Sequence, residues 1–183
     1  MRVIAGTHRG RKLISPEGDD IRPTTDRVKE NIFNLLNLKI PFSTFLDLFT
    51  GSGAIGIEAL SRGAEKVVFV DKDQKSIGYL KQNLEKLKIN SNYVIYCEDS
   101  FSIIDRFASQ KEKFDIIYLD PPYKTGMYQE IIKKIAETNI LSEDGIIVSE
   151  HSAEDGFSDL PKTFMLLKEK KYGNIVVSIY KAE

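Results

Sequence analysis

From Thr44 to Ser149 the chain alternates short, nearly continuous apolar runs with longer segments whose apolar residues recur every three or four positions. The runs are Phe45–Phe49, Lys66–Val70, Tyr93–Cys97, Phe114–Leu119 and Ile146–Ser149. Each is too short for a typical helix and too apolar for a strand wetted on one face, so the pattern predicts strands of a parallel sheet covered on both sides. The intervening segments Ala54–Arg62, Asp73–Lys88, Ser100–Ser109 and Met127–Asn139 predict helices. In Asp73–Lys88, for example, Ile77, Leu80, Leu84 and Leu87 fall on one face. Gly63 is placed to close the first of these helices. The rhythm then breaks. Phe164–Lys168 and Ile175–Tyr180 read as strands with only Glu169–Asn174 between them, too short for a crossover helix, so they pair antiparallel.

Ahead of this α/β array, residues 1–22 predict a small β-hairpin from Val3–Ala5 and Leu13–Ile14 around a Gly- and Arg-rich turn. Residues 23–183 form the main domain. It opens with a helix capped by Thr24 or Thr25, on which Val28, Ile32, Leu35 and Leu36 recur before Pro41.

Composition narrows the class. The chain has 183 residues, 42% hydrophobic and 29% charged, as expected of one globular domain and not of a disordered chain. The single Cys97 cannot form an internal disulfide, and two histidines offer no metal-ligand spacing. No segment approaches the roughly 18 apolar residues of a membrane span, and the first residues lack the apolar core of a signal peptide. A reducing, cytoplasmic setting is expected. The net charge of −1 does not favour nucleic acid, so any such role needs a local patch. Arg2, His8, Arg9, Arg11 and Lys12 provide one, with no acid among the first fourteen residues, and Arg22, Arg27 and Lys29 follow. A solvated basic tail would look the same.

The chemistry concentrates at strand ends. Gly51-Ser52-Gly53-Ala54-Ile55-Gly56 matches G-x-G-x-x-G between a strand and a helix, and Asp71 follows 20 residues after Gly51, where a ribose-binding acid belongs. A dinucleotide would fit these features equally well. Asp47 tips the balance, because a carboxylate beside the loop repels a pyrophosphate at the helix N-terminus. S-adenosylmethionine has no phosphate, and its ammonium and sulfonium both favour a nearby negative charge. Asp47 could instead cap the following turn. Asp99 lies on the same carboxyl edge, either to meet an adenine amino group or to cap the helix after it.

Asp120-Pro121-Pro122-Tyr123 ends the fourth parallel strand. Two prolines could merely terminate a strand, but the flanking groups suit methylation of an exocyclic base amine. The amine lone pair is delocalised into the ring, and acceptors aimed at both N–H groups free it. The Asp120 carboxylate and the Pro121 carbonyl supply two acceptors on a stiff backbone, and Tyr123 can stack on the base.

The ordered set resembles the class I methyltransferase superfamily. More closely, Arg2-Val3-Ile4-Ala5-Gly6, Gly10-Arg11-Lys12-Leu13, Arg22-Pro23-Thr24-Thr25-Asp26-Arg27-Val28, Asp47-Leu48-Phe49-Thr50-Gly51-Ser52-Gly53, Asp120-Pro121-Pro122-Tyr123 and Tyr172-Gly173 resemble the RsmD family, across essentially the whole chain. The resemblance implies a Rossmann-like sheet of seven strands with the last antiparallel, and methyl transfer from S-adenosylmethionine to the N2 amine of a guanine in 16S ribosomal RNA. It implies that the first helix lies over the cofactor, with Thr24, Asp47, Phe49, Gly51, Ser52, Gly53, Asp71, Lys72, Asp99 and Ser100 as its site. Asp120, Pro121, Pro122 and Tyr123 then hold the target. The basic hairpin, with Arg2, His8, Arg9, Arg11, Lys12, Arg22 and Arg27, docks RNA. The expected partner is ribosomal RNA within the small subunit or an assembly intermediate, with no membrane, no metal and a monomeric chain. Thr50 departs from the family's usual small apolar residue, without expected effect on the chemistry. His151 is expected as an ordinary surface histidine.

Other readings leave more unexplained. A DNA adenine-N6 or cytosine-N4 methyltransferase would use the same tetrad but lacks room here for a target-recognition domain. A protein-glutamine methyltransferase would more usually carry Asn at its head. An NAD-dependent oxidoreductase leaves Asp47 and the tetrad idle, and a non-catalytic RNA-binding module explains the hairpin alone.

Overall fold

A computed structural model of the protein describes residues 1–15, 26–122, 126–154 and 161–182. Its elements are α1 (Asp26–Leu35), β1 (Thr44–Asp47), α2 (Ala54–Ser61), β2 (Lys66–Val70), α3 (Gln74–Leu87), β3 (Tyr93–Tyr96), α4 (Ser100–Ser109), β4 (Phe114–Leu119), α5 (Met127–Thr138), β5 (Leu141–Ser152), β6 (Phe164–Tyr172) and β7 (Ile175–Ala182). The strands form one sheet in the order β3-β2-β1-β4-β5-β7-β6. Strands β1 to β5 are mutually parallel, and β7 runs antiparallel to both β5 and β6.

Two hydrophobic layers sandwich this sheet. On one face α1, α2 and α3 contribute Ile32, Phe33, Ile57 and Leu80 against Phe45, Phe69, Ile116 and Val148. On the other, α4 and α5 bring Ile103, Phe107, Ile131 and Ile135 against Leu46, Val68, Ile117 and Ile147. Neighbouring residues of a strand thus enter opposite layers, which is why the central strands are apolar throughout. Capping fixes the helices between them. Asp73 accepts from the Lys75 and Ser76 amides to begin α3, and left-handed Lys88 ends it.

The predicted N-terminal hairpin is reduced to one antiparallel bridge, Arg2 with Lys12, supported by backbone bonds from Val3 to Arg11, Gly10 to Val3 and Leu13 to Met1. The segment is fastened to the domain rather than standing off it. Val3 and Leu13 are buried in the α1–α3 layer. The Glu58 carboxylate accepts the Ile4 and Ala5 amides at 2.7 and 2.9 Å. Asn83 accepts the Ile14 amide at 2.7 Å and donates to the carbonyls of Ile14 and Ser52.

The closing strands are longer than the hydrophobic pattern predicts. β5 begins at Leu141 because the polar stretch Ser142–Asp144 and Gly145 is carried into it across a register shift opposite Phe114 and Ile116. β6 extends through its exposed, lysine-rich half to Tyr172, so the turn is only Gly173-Asn174. Gly173 takes a φ of 63° there, a conformation glycine adopts without penalty.

Candidate active site

The strand order reverses between β1 and β4, and in open α/β sheets the crevice beyond the carboxyl ends at such a switch point is where ligands bind. Asp47 closes β1 and Asp120 follows β4, so the two acids flank the switch. The register pairs Asp47 with Tyr118, two residues before Asp120. A cleft opens at this edge, lined by Leu48 next to Asp47 and by Asp120. Its walls include Phe49, Asp71, Lys72, Asp99 and Ser100 on the β1–β3 side, and Asp120, Pro122 and Met127 on the β4 side.

The glycine loop is built by close approach. Gly53 caps α2 in the left-handed region at a φ of 85°, and a Cβ there would sit 2.3 Å from Leu80 Cδ1. A Cβ on Gly56 would sit 2.2 Å from the Phe69 ring, so the third glycine lets α2 lie against β2. This packing delivers the Gly56 amide to Asp47.

Asp47 is 1% exposed. Its Oδ2 accepts from the Thr50 hydroxyl at 2.9 Å and from the Gly56 amide at 3.1 Å. Its Oδ1 is buried without any hydrogen-bond partner. Burial pushes the carboxyl up to about 7, against the lowering effect of the Thr50 and Gly56 bonds, with a smaller upward push from Asp71. An orphaned buried carboxylate oxygen is costly, and a cationic group is the partner that removes the cost. The site therefore fits the ammonium of S-adenosylmethionine and repels a pyrophosphate.

Asp71 is half-buried, with Oδ2 accepting from the Gly51 amide at 2.8 Å and Oδ1 from the Asp73 amide at 2.9 Å. These bonds hold its carboxylate on the cleft wall, where ribose hydroxyls can share its remaining lone pairs. Asp99 caps α4 through Oδ2, accepting from the Phe101 and Ser102 amides at 3.0 and 3.1 Å. It lines the cleft as well, so capping and contact with a ligand are compatible.

On the β4 side Asp120 is half-buried, Pro121 buried and Pro122 exposed on the cleft wall. Burial raises the Asp120 carboxyl well above the usual range, and the nearby charges of Glu150 and Asp47 push the same way. Thr24, Arg22 and Tyr123 lie outside the described residues.

Several site residues carry no signal in the sequence pattern. Thr50 holds Asp47 through the hydroxyl that distinguishes it from a small apolar residue. Glu150, 1% exposed at the end of β5, accepts from the buried Tyr118 hydroxyl at 3.0 Å. His151 corrects the expectation of a surface histidine. It is 4% exposed, stacks on Tyr128 at 4.6 Å, and bonds Ser178 Oγ at 3.0 Å. That packing ties α5, the helix after the Asp-Pro-Pro loop, to β5 and β7.

Of the basic residues, Arg2, Arg9, Arg11, Lys12 and Arg27 are exposed and His8 is half-buried. Arg2 pairs with Asp26 at 3.2 Å. Lys29 is no part of a surface patch, because it is fully buried against Glu58 at 3.3 Å. The tip of the N-terminal segment docks on the far end of α2, where the Thr7 and His8 amides donate to Ser61. It therefore lies about 12 Å, the length of the helix, below the glycine loop.

Comparison with known proteins decides the family. A family model described as Conserved hypothetical protein 95 matches residues 1–181. The ribosomal RNA small subunit methyltransferase D of Haemophilus influenzae is 38% identical over 98% of this chain and 93% of its own. The chain belongs to the RsmD family. YlbH of Bacillus subtilis is 41% identical, covering 99% of this chain and 98% of its own. The solved structure of YhhF from Escherichia coli superposes with a TM-score of 0.87 at 36% identity, covering 100% of this chain and 98% of that one. The RsmD assignment thus extends from the bridge at Arg2 to the final strand, and the seven-stranded methyltransferase sheet with its antiparallel β7 is as the motifs imply.

Proposed function

We propose that this protein transfers a methyl group from S-adenosylmethionine to the exocyclic N2 amine of a guanine in small-subunit ribosomal RNA. The observation that carries the reading is the pair of acids across the switch point, Asp47 with a partnerless buried oxygen on one side and Asp120 on the other. When bound, the cofactor supplies an electrophilic methyl on a sulfonium. Asp47 Oδ1 receives the ammonium, Asp71 holds the ribose hydroxyls, and Phe49, Lys72, Asp99 and Ser100 wall the remainder. Thr24 serves as a further cofactor contact.

At the target, a carboxyl oxygen of Asp120 and the Pro121 carbonyl accept the two amine N–H bonds and direct the nitrogen lone pair into the cleft. Tyr123 stacks on the base. The nitrogen–carbon bond forms as the sulfur–carbon bond breaks with its electrons passing to sulfur, and the methylated amine then releases a proton. Positioning supplies most of the acceleration in such a displacement. The target base must be splayed out of its stack, which costs least in a loop.

Relatives named ribosomal RNA small subunit methyltransferase D support the RNA class, and the N-terminal residues Arg2, His8, Arg9, Arg11, Lys12, Arg22 and Arg27 serve as an RNA-docking face. No helix among the described residues is long and apolar enough to cross a membrane, and the enzyme acts in the cytoplasm on the small subunit or its assembly intermediate.

The test is transfer from labelled S-adenosylmethionine to small ribosomal subunits from cells lacking this gene, followed by mass spectrometry of RNA nucleosides. New N2-methylguanosine is expected. Label in DNA or protein, with none in the RNA, overturns the substrate.

A further inference from the structure

The rim of the cleft presents a problem for an RNA substrate. Among the described residues, Asp71, Glu98, Asp99 and Asp120 line it, with Lys72 the cation on its wall. Phosphates approaching such a site are repelled unless cations stand nearby. The N-terminal loop reaches the opposite end of α2 and does not relieve this.

The register of the sheet places three lysines near this edge. β4 pairs with β5 up to Leu119–Ser149, so Asp120 stands level with Glu150. Glu150 pairs with Val177, and Val177 pairs with Lys170 of the edge strand β6. Lys170 therefore occupies the same cross-sheet row as Asp120, three strand spacings or about 14 Å away. Lys168 and Lys171 flank it, and all three are exposed. The acid among them, Glu169, accepts from the Ser178 hydroxyl at 3.3 Å and so lies against β7.

Lysines on an edge strand also discourage edge-to-edge pairing. That role predicts charge wherever the strand is open. Here the half of β6 far from the carboxyl edge carries exposed Met165, Leu166 and Leu167 instead, while the lysines crowd the half beside the turn.

We infer that the carboxyl-edge half of β6, through Lys168, Lys170 and Lys171, is a second RNA-docking element that binds phosphates of the nucleotides flanking the target base. The inference rests on the ribosomal RNA reading above. A strand whose target base enters at Asp120 then runs over β5 and β7 to the hairpin, and the acidic pocket receives only the base.

The test is the full-length Lys168→Ala/Lys170→Ala/Lys171→Ala variant, compared with wild type and with Lys81→Ala/Lys86→Ala/Lys133→Ala, which removes equal charge elsewhere. Binding to unmethylated small-subunit particles is measured across salt, together with calorimetric titration of S-adenosylhomocysteine. The expected result is unchanged cofactor affinity, RNA binding weakened about tenfold or more at low salt, and a log–log salt slope shallower by about 2, as for three lost phosphate contacts on a single strand. KM rises while the single-turnover rate at saturation is retained. An unchanged slope, or an equal loss in the control variant, overturns the inference. Weakened binding with no change in slope assigns the strand to a protein contact through Met165–Leu167 and overturns it too. If wild type neither binds nor methylates the particles, the substrate reading falls and takes this inference with it. Wild-type methylation beside an unaffected variant sinks this inference alone.

Discussion

The Thr50 hydroxyl donates to Asp47 Oδ2 at 2.9 Å, and this bond turns the other carboxylate oxygen, Oδ1, into the one left without a partner. Thr50 is itself 6% exposed, so water cannot replace it cheaply. Replacing it with the isosteric valine removes the donor and keeps the volume. Hydrogen bonds to charged groups contribute about 1.5–3 kcal/mol. Thr50→Val is expected to weaken S-adenosylhomocysteine binding about tenfold by calorimetry. Unchanged affinity would show that the Gly56 amide alone orients Asp47.

Asp47 also makes cofactor affinity and fold stability depend on pH in opposite senses. Its folded-state value of about 7 lies above the ordinary 3.8, so the folded chain keeps a proton that the unfolded chain has released. Stability from this group is therefore full below about pH 4 and declines as pH rises toward 7, by an amount on the order of 4 kcal/mol. Asp47→Asn removes the penalty. The variant is expected to melt higher than wild type at pH 8, to converge with it near pH 4, and to lose cofactor binding at both. Wild-type affinity for the cofactor should fall as pH drops through 7, because the ammonium needs the ionised form. A pH-independent affinity between 6 and 8 would place the ammonium elsewhere.

Much of this site is legible in the sequence, for a definite reason. Asp47, the glycine loop, Asp71 and Asp120 each sit next to a strand whose apolar run announces it, and parallel strands bring their carboxyl ends to one edge. What escapes is what depends on partners distant in the chain. Glu58 reads as any helical glutamate until Ile4, Ala5, Lys29 and Arg62 converge on it. Glu150 and His151 follow an apolar strand and read as its solvated end, yet β7 and α5 close over them. The second half of β6 reads as a loop because an edge strand exposed along its length needs no apolar alternation.

Asp120 separates binding from chemistry. It stands on the β4 wall, across the cleft from Asp71 and Asp99. Asp120→Ala is expected to leave S-adenosylhomocysteine affinity within about twofold of wild type. Single-turnover methylation should fall about 10²-fold, the scale of one preorganised polar contact to a reacting group. A rate close to wild type would remove Asp120 from the amine. A parallel loss of cofactor affinity would instead make it part of the cofactor pocket.

Glu58 joins the cofactor loop to the N-terminal segment. It is fully buried on α2, five residues after Gly53. It accepts the Ile4 and Ala5 amides at 2.7 and 2.9 Å, and pairs with Lys29 at 3.3 Å and Arg62 at 2.8 Å. Lys29 in turn donates to the Arg2 carbonyl at 2.6 Å, so one ionic cluster clasps the segment from both sides. Burial lowers the Lys29 pKa, and the Glu58 charge opposes that lowering. Glu58→Gln keeps one acceptor and discards the charge, which strands Lys29 in an apolar layer. Breaking one side of a buried pair costs about 3–5 kcal/mol. The variant is expected to lose that much stability in urea. Amides of residues 3–5 and 10–13 should exchange hydrogen faster than those of β1 and β4, because the segment undocks before the sheet opens. Uniform acceleration across the domain would mean that the cluster holds the whole fold together and has no separate role in seating the segment.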